Sequence, residues 1–132
     1  MIAFQNRLIA LTYLKDADIL IVTWSDSAPY DTDEIQQSID KVIETIVQFN
    51  CPKLLIDASA ANMEMDDATI KITLTDFAEK LGKTGLKKLA RIITNDQTRE
   101  TRVQQIREEV SLPYQIYDIS NREQALRWLK ED

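Results

Sequence analysis

The sequence predicts an α/β domain of order ββαβαβαβα, with a mostly parallel sheet and an antiparallel N-terminal edge strand. Three observations predict it. Runs rich in β-branched and aromatic residues alternate with stretches whose apolar residues recur at helical spacing. Strands separated by helices need crossover connections, which join parallel neighbours. A chain of 132 residues is also long enough to bury one core without metal or disulfide support, so 1–132 is read as a single domain.

Residues 8–14 and 19–24 form a hairpin about the polar turn Lys15-Asp16-Ala17-Asp18. The second run, Ile19-Leu20-Ile21-Val22-Thr23-Trp24, is almost continuously apolar, as a strand buried on both faces should be; the first alternates more and suits an edge. After the loop Ser25-Asp26-Ser27-Ala28-Pro29-Tyr30, Asp31 or Thr32 can cap a helix, and Asp33 and Glu34 favour the positive end of its dipole. Ile35, Ile39, Val42, Ile43, Ile46 and Val47 form its apolar stripe.

The pattern then repeats. Lys53-Leu54-Leu55-Ile56-Asp57 is a short strand that runs into Ala58-Ser59-Ala60-Ala61-Asn62. A helix starts near Asp66 or Asp67 with a stripe of Ile70, Leu74, Phe77, Ala78 and Leu81, and Gly82 and Gly85 are expected to end it in left-handed conformations. A strand over 86–94, a helix over 98–110, a strand over 114–119 and a closing helix over 121–129 complete the chain.

Several chemistries lack their residues. With no histidine, the commonest general base and triad member is missing. Both glycines follow the second helix, so no strand-to-helix turn offers a phosphate-binding glycine loop. Cys51 is the only cysteine, too few for a zinc site, and its place at a helix exit suits a buried structural thiol. No cofactor and no metal are expected. The net charge of −6 argues against a nucleic-acid partner. No apolar run is long enough to span a bilayer, and the N-terminal residues do not form a secretory signal, so a soluble, cytoplasmic protein is expected. Charge is uneven. Eight basic side chains against two carboxylates leave residues 80–107 at +6 and the rest at −12. This could meet an acidic partner, although solvated helix faces and cationic helix ends are the plainer account.

Polar residues collect where the strands end, the usual ligand edge of a parallel sheet. Ser25, Asp57, Ser59, Asn62, Asn95 and Asp118 are the candidate ligand-binding residues there, although caps and turns call for the same residue types. Asp26, Asp57 and Asp96 could serve a carboxylate-based, metal-dependent enzyme. A phospho-accepting receiver built on Asp57 is disfavoured, because Trp24-Ser25-Asp26-Ser27 supplies no acidic pair and Tyr117-Asp118-Ile119-Ser120 no lysine.

The order of elements, with Lys53-Leu54-Leu55-Ile56-Asp57-Ala58-Ser59, a loop and then an acidic helix start, resembles the STAS domain of anti-sigma-factor antagonists. The small stand-alone STAS/SEC14-like proteins of bacteria are the nearer likeness. It covers most of the chain as a pattern, including the terminal Ala125-Leu126-Arg127-Trp128-Leu129 helix. The resemblance implies a STAS-like (βα)n superhelix, right-handed, and functions centred on protein partners or on small apolar or nucleotide-like ligands. In phospho-switched members, a serine in Asp-Ser-Ser-Gly at the next helix start is phosphorylated to break the partner interface. The matching stretch here reads Met63-Glu64-Met65-Asp66-Asp67-Ala68-Thr69-Ile70, without serine or glycine. Asp66 and Asp67 place fixed negative charge at the helix start, as caps or as a mimic of phosphate, and Thr69 is the one hydroxyl nearby.

Ile72 falls roughly 200° around the helix from Ile70 and should point away from the core. Met63, Met65, Asp66, Asp67, Thr69 and Ile72 are therefore the candidate partner-binding residues. The expectation is a non-enzymatic protein-interaction or regulatory module without the serine switch; the alternative is a carrier or sensor of a small ligand.

Overall fold

A computed structural model describes residues 2–25, 32–57, 67–92, 101, 104 and 113–131. Its described strands are β1 (Ile2–Gln5), β2 (Ile9–Leu14), β3 (Ile19–Trp24), β4 (Lys53–Asp57), β5 (Lys88–Ile92) and β6 (Gln115–Ile119). Its described helices are α1 (Thr32–Phe49), α2 (Asp67–Gly82) and α3 (Arg122–Lys130). The strands form one sheet in the order β1-β2-β3-β4-β5-β6. The pairs β1–β2 and β2–β3 are antiparallel, and β3 to β6 run parallel. The mixed α/β class and the antiparallel N-terminal edge expected from the sequence are both present, in a STAS-like fold.

One strand is new. Residues 2–5 pair with β2, so the run starting near Leu8 lies second from the edge, and β1 takes the edge. The turn between them needs no glycine. The Asn6 side-chain oxygen accepts from the backbone N–H groups of Leu8 and Ile9, both at 2.8 Å, and the Asn6 amide donates to Ser38 Oγ of α1 at 3.1 Å. One asparagine thus shapes the turn, ties it to α1 and satisfies a buried hydroxyl.

The crossovers from β3 to β6 all step the same way across the sheet. Parallel crossovers share one hand, so α1 and α2 lie on one face. There α1 and α2 cover Leu20, Val22, Trp24, Leu54, Ile56 and Leu89 with Ile35, Ile39, Val42, Ile46, Phe77 and Leu81. The closing helix is not a crossover. It packs on the opposite face, where Ala125 and Leu129 meet Ile19, Ile21, Leu55, Ala90 and Ile92. β3 is therefore apolar but for Thr23 because both of its faces are covered.

Local details differ from the sequence expectation at two places. Val47 is 61% exposed rather than part of the α1 stripe. It lies about 110° around the helix from the centre of the buried stripe, beyond an apolar face of ordinary width. Of the two glycines only Gly85 takes a positive φ, of 83°. Gly82 ends α2, where a Cβ would meet Pro113 Cδ at 3.2 Å, so close approach of another segment fits its lack of a side chain. Asn50 supplies the left-handed exit from α1 at φ 51°. Its N–H donates to Val47 O and that of Cys51 to Ile46 O, the Schellman pairing. Of the helix expected over 98–110, only Thr101 and Gln104 are described, both helical.

Candidate functional site

At the carboxyl ends of the parallel strands, two successive register rows cross the sheet. One runs Val22, Ile56, Arg91, Asp118; the next runs Thr23, Asp57, Ile92, Ile119. Successive strand residues point to opposite faces. Asp118 therefore lies on the α1/α2 face and Asp57 on the α3 face, with the sheet between them. Asp57 faces Arg122 at the start of α3, Oδ2 to Nη1 3.6 Å. Asp118 pairs with Arg91 Nε at 3.4 Å and accepts from Gln104 Nε2 at 3.1 Å. The Ser25 hydroxyl donates to the Arg7 carbonyl at 2.7 Å. Thus the three described residues of the expected ligand set are engaged within the fold, and the two carboxylates do not form one constellation. Ser59, Asn62 and Asn95 lie outside the described residues, as do Asp26 and Asp96. Among the described residues no group of three or more Cys, Asp or Glu is placed to hold a metal ion.

The second candidate region begins α2. Asp67 is the first residue of this helix and Thr69 the third; Met63, Met65 and Asp66 lie outside the described residues. Ile72 is 70% exposed. Phe77 and Leu81, buried on the same helix, lie about 140° and 180° around it from Ile72. Ala68 and Glu79 share the exposed side with Ile72. The alternation of faces that buries Leu81 therefore turns Ile72 outward.

A polar network fixes that orientation. Lys80 of α2 bridges Asp40 of α1 and Asp76 of its own helix, both at 3.1 Å. Gln36 Nε2 donates to Asp40 at 3.2 Å and to Asp76 at 3.4 Å. The hydrogen bond to Asp76 first, and that to Asp40 second, raise the Lys80 ammonium above the usual lysine pKa, so it stays charged at neutral pH. Each half-exposed pair adds little stability, but together they fix how α2 sits on α1.

Among solved structures, the chain is similar to SiaC of Pseudomonas aeruginosa. Apo-SiaC aligns with a TM-score of 0.53 at 15% identity, over 89% of this chain and 97% of that one. A structure of the diguanylate cyclase SiaD in complex with its activator SiaC aligns with a TM-score of 0.52 at 17% identity, over 89% of this chain and 98% of that one. The likeness is one of fold. No protein-family model matches the sequence, and no curated protein does.

The sequence reading found Ile72 but not the Gln36–Asp40–Asp76–Lys80 network. Asp76 and Lys80 stand four apart and could be paired from the sequence, whereas their link to α1 depends on how the helices pack. The basic run is divided among separate tasks. Lys80 joins two helices, Arg91 meets Asp118, and Lys88 lies over the Trp128 ring at 4.9 Å. Arg99, Arg102 and Arg107 lie outside the described residues. Among the described residues no helix is long and apolar enough to cross a membrane.

Proposed function

We propose that this chain is a non-enzymatic, cytosolic regulatory module of the STAS/SEC14-like proteins, which docks a protein partner through the outward side of α2. The observation that carries the reading is Ile72, a large aliphatic side chain 70% exposed on a helix whose opposite side buries Phe77 and Leu81. Burying it against a partner would remove apolar surface from water, and α2 is already held in place, so little ordering opposes docking. Met63, Met65, Asp66, Asp67 and Thr69 precede or begin the same helix and belong to the proposed surface. The stretch carries fixed carboxylates where the resembling family has its serine, so a serine phospho-switch has no acceptor.

Two further points support docking over chemistry. Ser25, Asp57 and Asp118 are occupied by contacts within the fold. The similar protein SiaC was solved with the cyclase SiaD, which it activates, so a STAS-like fold of this size serves partner regulation there.

The test is recovery of a stoichiometric partner from native extract, identification by mass spectrometry, and titration with both proteins purified. Ile72→Asp should weaken binding roughly 30-fold or more, the size expected for a central apolar contact. Unchanged affinity in Ile72→Asp would discard this surface.

A further inference from the structure

The outward side of α2 carries a pattern of charge as well as the exposed Ile72. Ala68, Ile72, Asp76 and Glu79 lie within about 80° of one another around the helix, so they form one stripe about 17 Å long. Its N-terminal half is apolar and its C-terminal half acidic. Ala68, Ile72 and Glu79 are exposed, and the Asp76 side chain is 40% exposed. α1 borders the same strip. Gln36 meets Asp76 and Asp40 meets Lys80, so the two helices run side by side in the same direction. Asp33 stands one turn before Gln36, as Ile72 stands one turn before Asp76, which puts an exposed carboxylate of α1 level with Ile72.

Most of these carboxylates have a task within the fold. Asp33 is in the first turn of α1, at the positive end of its dipole. Asp40 and Asp76 share the Lys80 ammonium. Glu79 has no such task. It stands in the last turn of α2, where the dipole disfavours negative charge, and its carboxylate forms no ion pair or hydrogen bond among the described residues. A residue that breaks a local rule without a compensating contact is expected where a surface serves function. Lys71, the other lysine of α2, lies about 100° around from Ile72 on the flank away from Lys80, so it stands outside the stripe. Asp33, Asp40, Asp76 and Glu79 thus face one ammonium around a single exposed isoleucine.

Resting on the proposed docking through α2, we infer that the partner presents a basic amphipathic helix, with an apolar side chain seated on Ile72 and Lys or Arg side chains meeting Asp76 and Glu79. A helix fits because the groups it would meet recur at helical spacing along one stripe, with α1 running beside it. An acidic segment, a nucleic acid or an anionic lipid surface would bring like charge to the same carboxylates.

Two synthetic peptides of about 12 residues, the length of the stripe, test this on the isotope-labelled full chain. One is an amphipathic leucine–lysine helix and the other its leucine–glutamate counterpart, with backbone amide shifts read by residue. The leucine–lysine peptide should shift the amides of Ala68 to Lys80 and Asp33 to Asp40 and leave those of α3 in place; the leucine–glutamate peptide should shift neither set. Glu79→Lys should weaken the leucine–lysine peptide about tenfold. Glu131→Lys makes the same change of net charge at the end of α3 and should alter its affinity by no more than about twofold. Equal shifts with both peptides, no shift in α2 with the leucine–lysine peptide, or equal losses in the two variants would overturn the basic partner. Docking through α2 fails separately, on an unchanged affinity of Ile72→Asp for the partner recovered from extract.

Discussion

On one face of the sheet, two helices of 18 and 16 residues lay a continuous apolar cluster across β2 to β5. On the other, the one described helix, of nine residues, covers a smaller cluster with two fully buried side chains. The first face is held by interdigitated aliphatic side chains. The second is held by fewer of them and by charges at the two helix ends. The difference teaches where the domain keeps its stability and where it shows its surface. The exposed Ile72 belongs to α2, which adds Phe77 and Leu81 to the larger core, so the proposed docking surface lies on that side of the sheet.

Truncating one buried side chain on each face sharpens this contrast most. Ile46→Ala should cost about 4 kcal/mol in urea unfolding, because the middle of α1 cannot collapse onto the cavity. Leu129→Ala should cost about 2 kcal/mol, because a short closing helix can settle inward. Equal losses would break the comparison.

A smaller effect concerns the far end of the α1 face. Tyr13 stacks on Phe49 at 4.4 Å between ring centroids, and its hydroxyl donates to Asp18 at 2.5 Å. Tyr13→Phe removes that bond and should cost about 1 kcal/mol at neutral pH. The hydrogen bond to Asp18 first, then burial, push the Tyr13 phenol up to about 12. A phenol whose pKa is raised on folding favours the folded state while it is protonated. That contribution is fully present below about pH 10, the unfolded value, and is lost as pH rises through about 12. The alkaline loss of stability, followed by circular dichroism, should therefore be shallower in Tyr13→Phe. An identical alkaline limb would contradict the bond.

The smallest effects belong to the exposed charges. Lys80→Met and Arg122→Gln should each shift stability by less than about 1 kcal/mol, and by less at high salt. A larger loss for Lys80→Met would mean that the α1–α2 contact depends on charge more than on its apolar core.

How far the sequence could be read follows the range of the interactions. The alternation of strands and helices, the doubly buried β3 and the outward Ile72 are local periodicities and were legible. β1 was not. Ile2-Ala3-Phe4-Gln5 is short and bulged against β2, and its turn depends on the side chain of Asn6 rather than on a glycine. Val47 was assigned inward because it is apolar and four residues after Ile43, although its angle carries it past the buried stripe. The pairing of Asp57 with Arg122 joins residues far apart in sequence, and nothing in either segment signals it. The sequence reading grouped the candidate ligand residues by their place at the strand ends, and reading an edge does not tell which face each side chain takes. Asp57 and Asp118 end on opposite faces for that reason.

The most direct test of docking through α2 compares two exposed aliphatic residues on neighbouring helices. Ile72 and Val47 are 70% and 61% exposed, and only Ile72 lies on the proposed surface. Affinity for the recovered partner should fall roughly 30-fold or more in Ile72→Asp and stay within about twofold in Val47→Asp, with both variants folded. Equal losses in the two variants, or none in Ile72→Asp, would contradict the account.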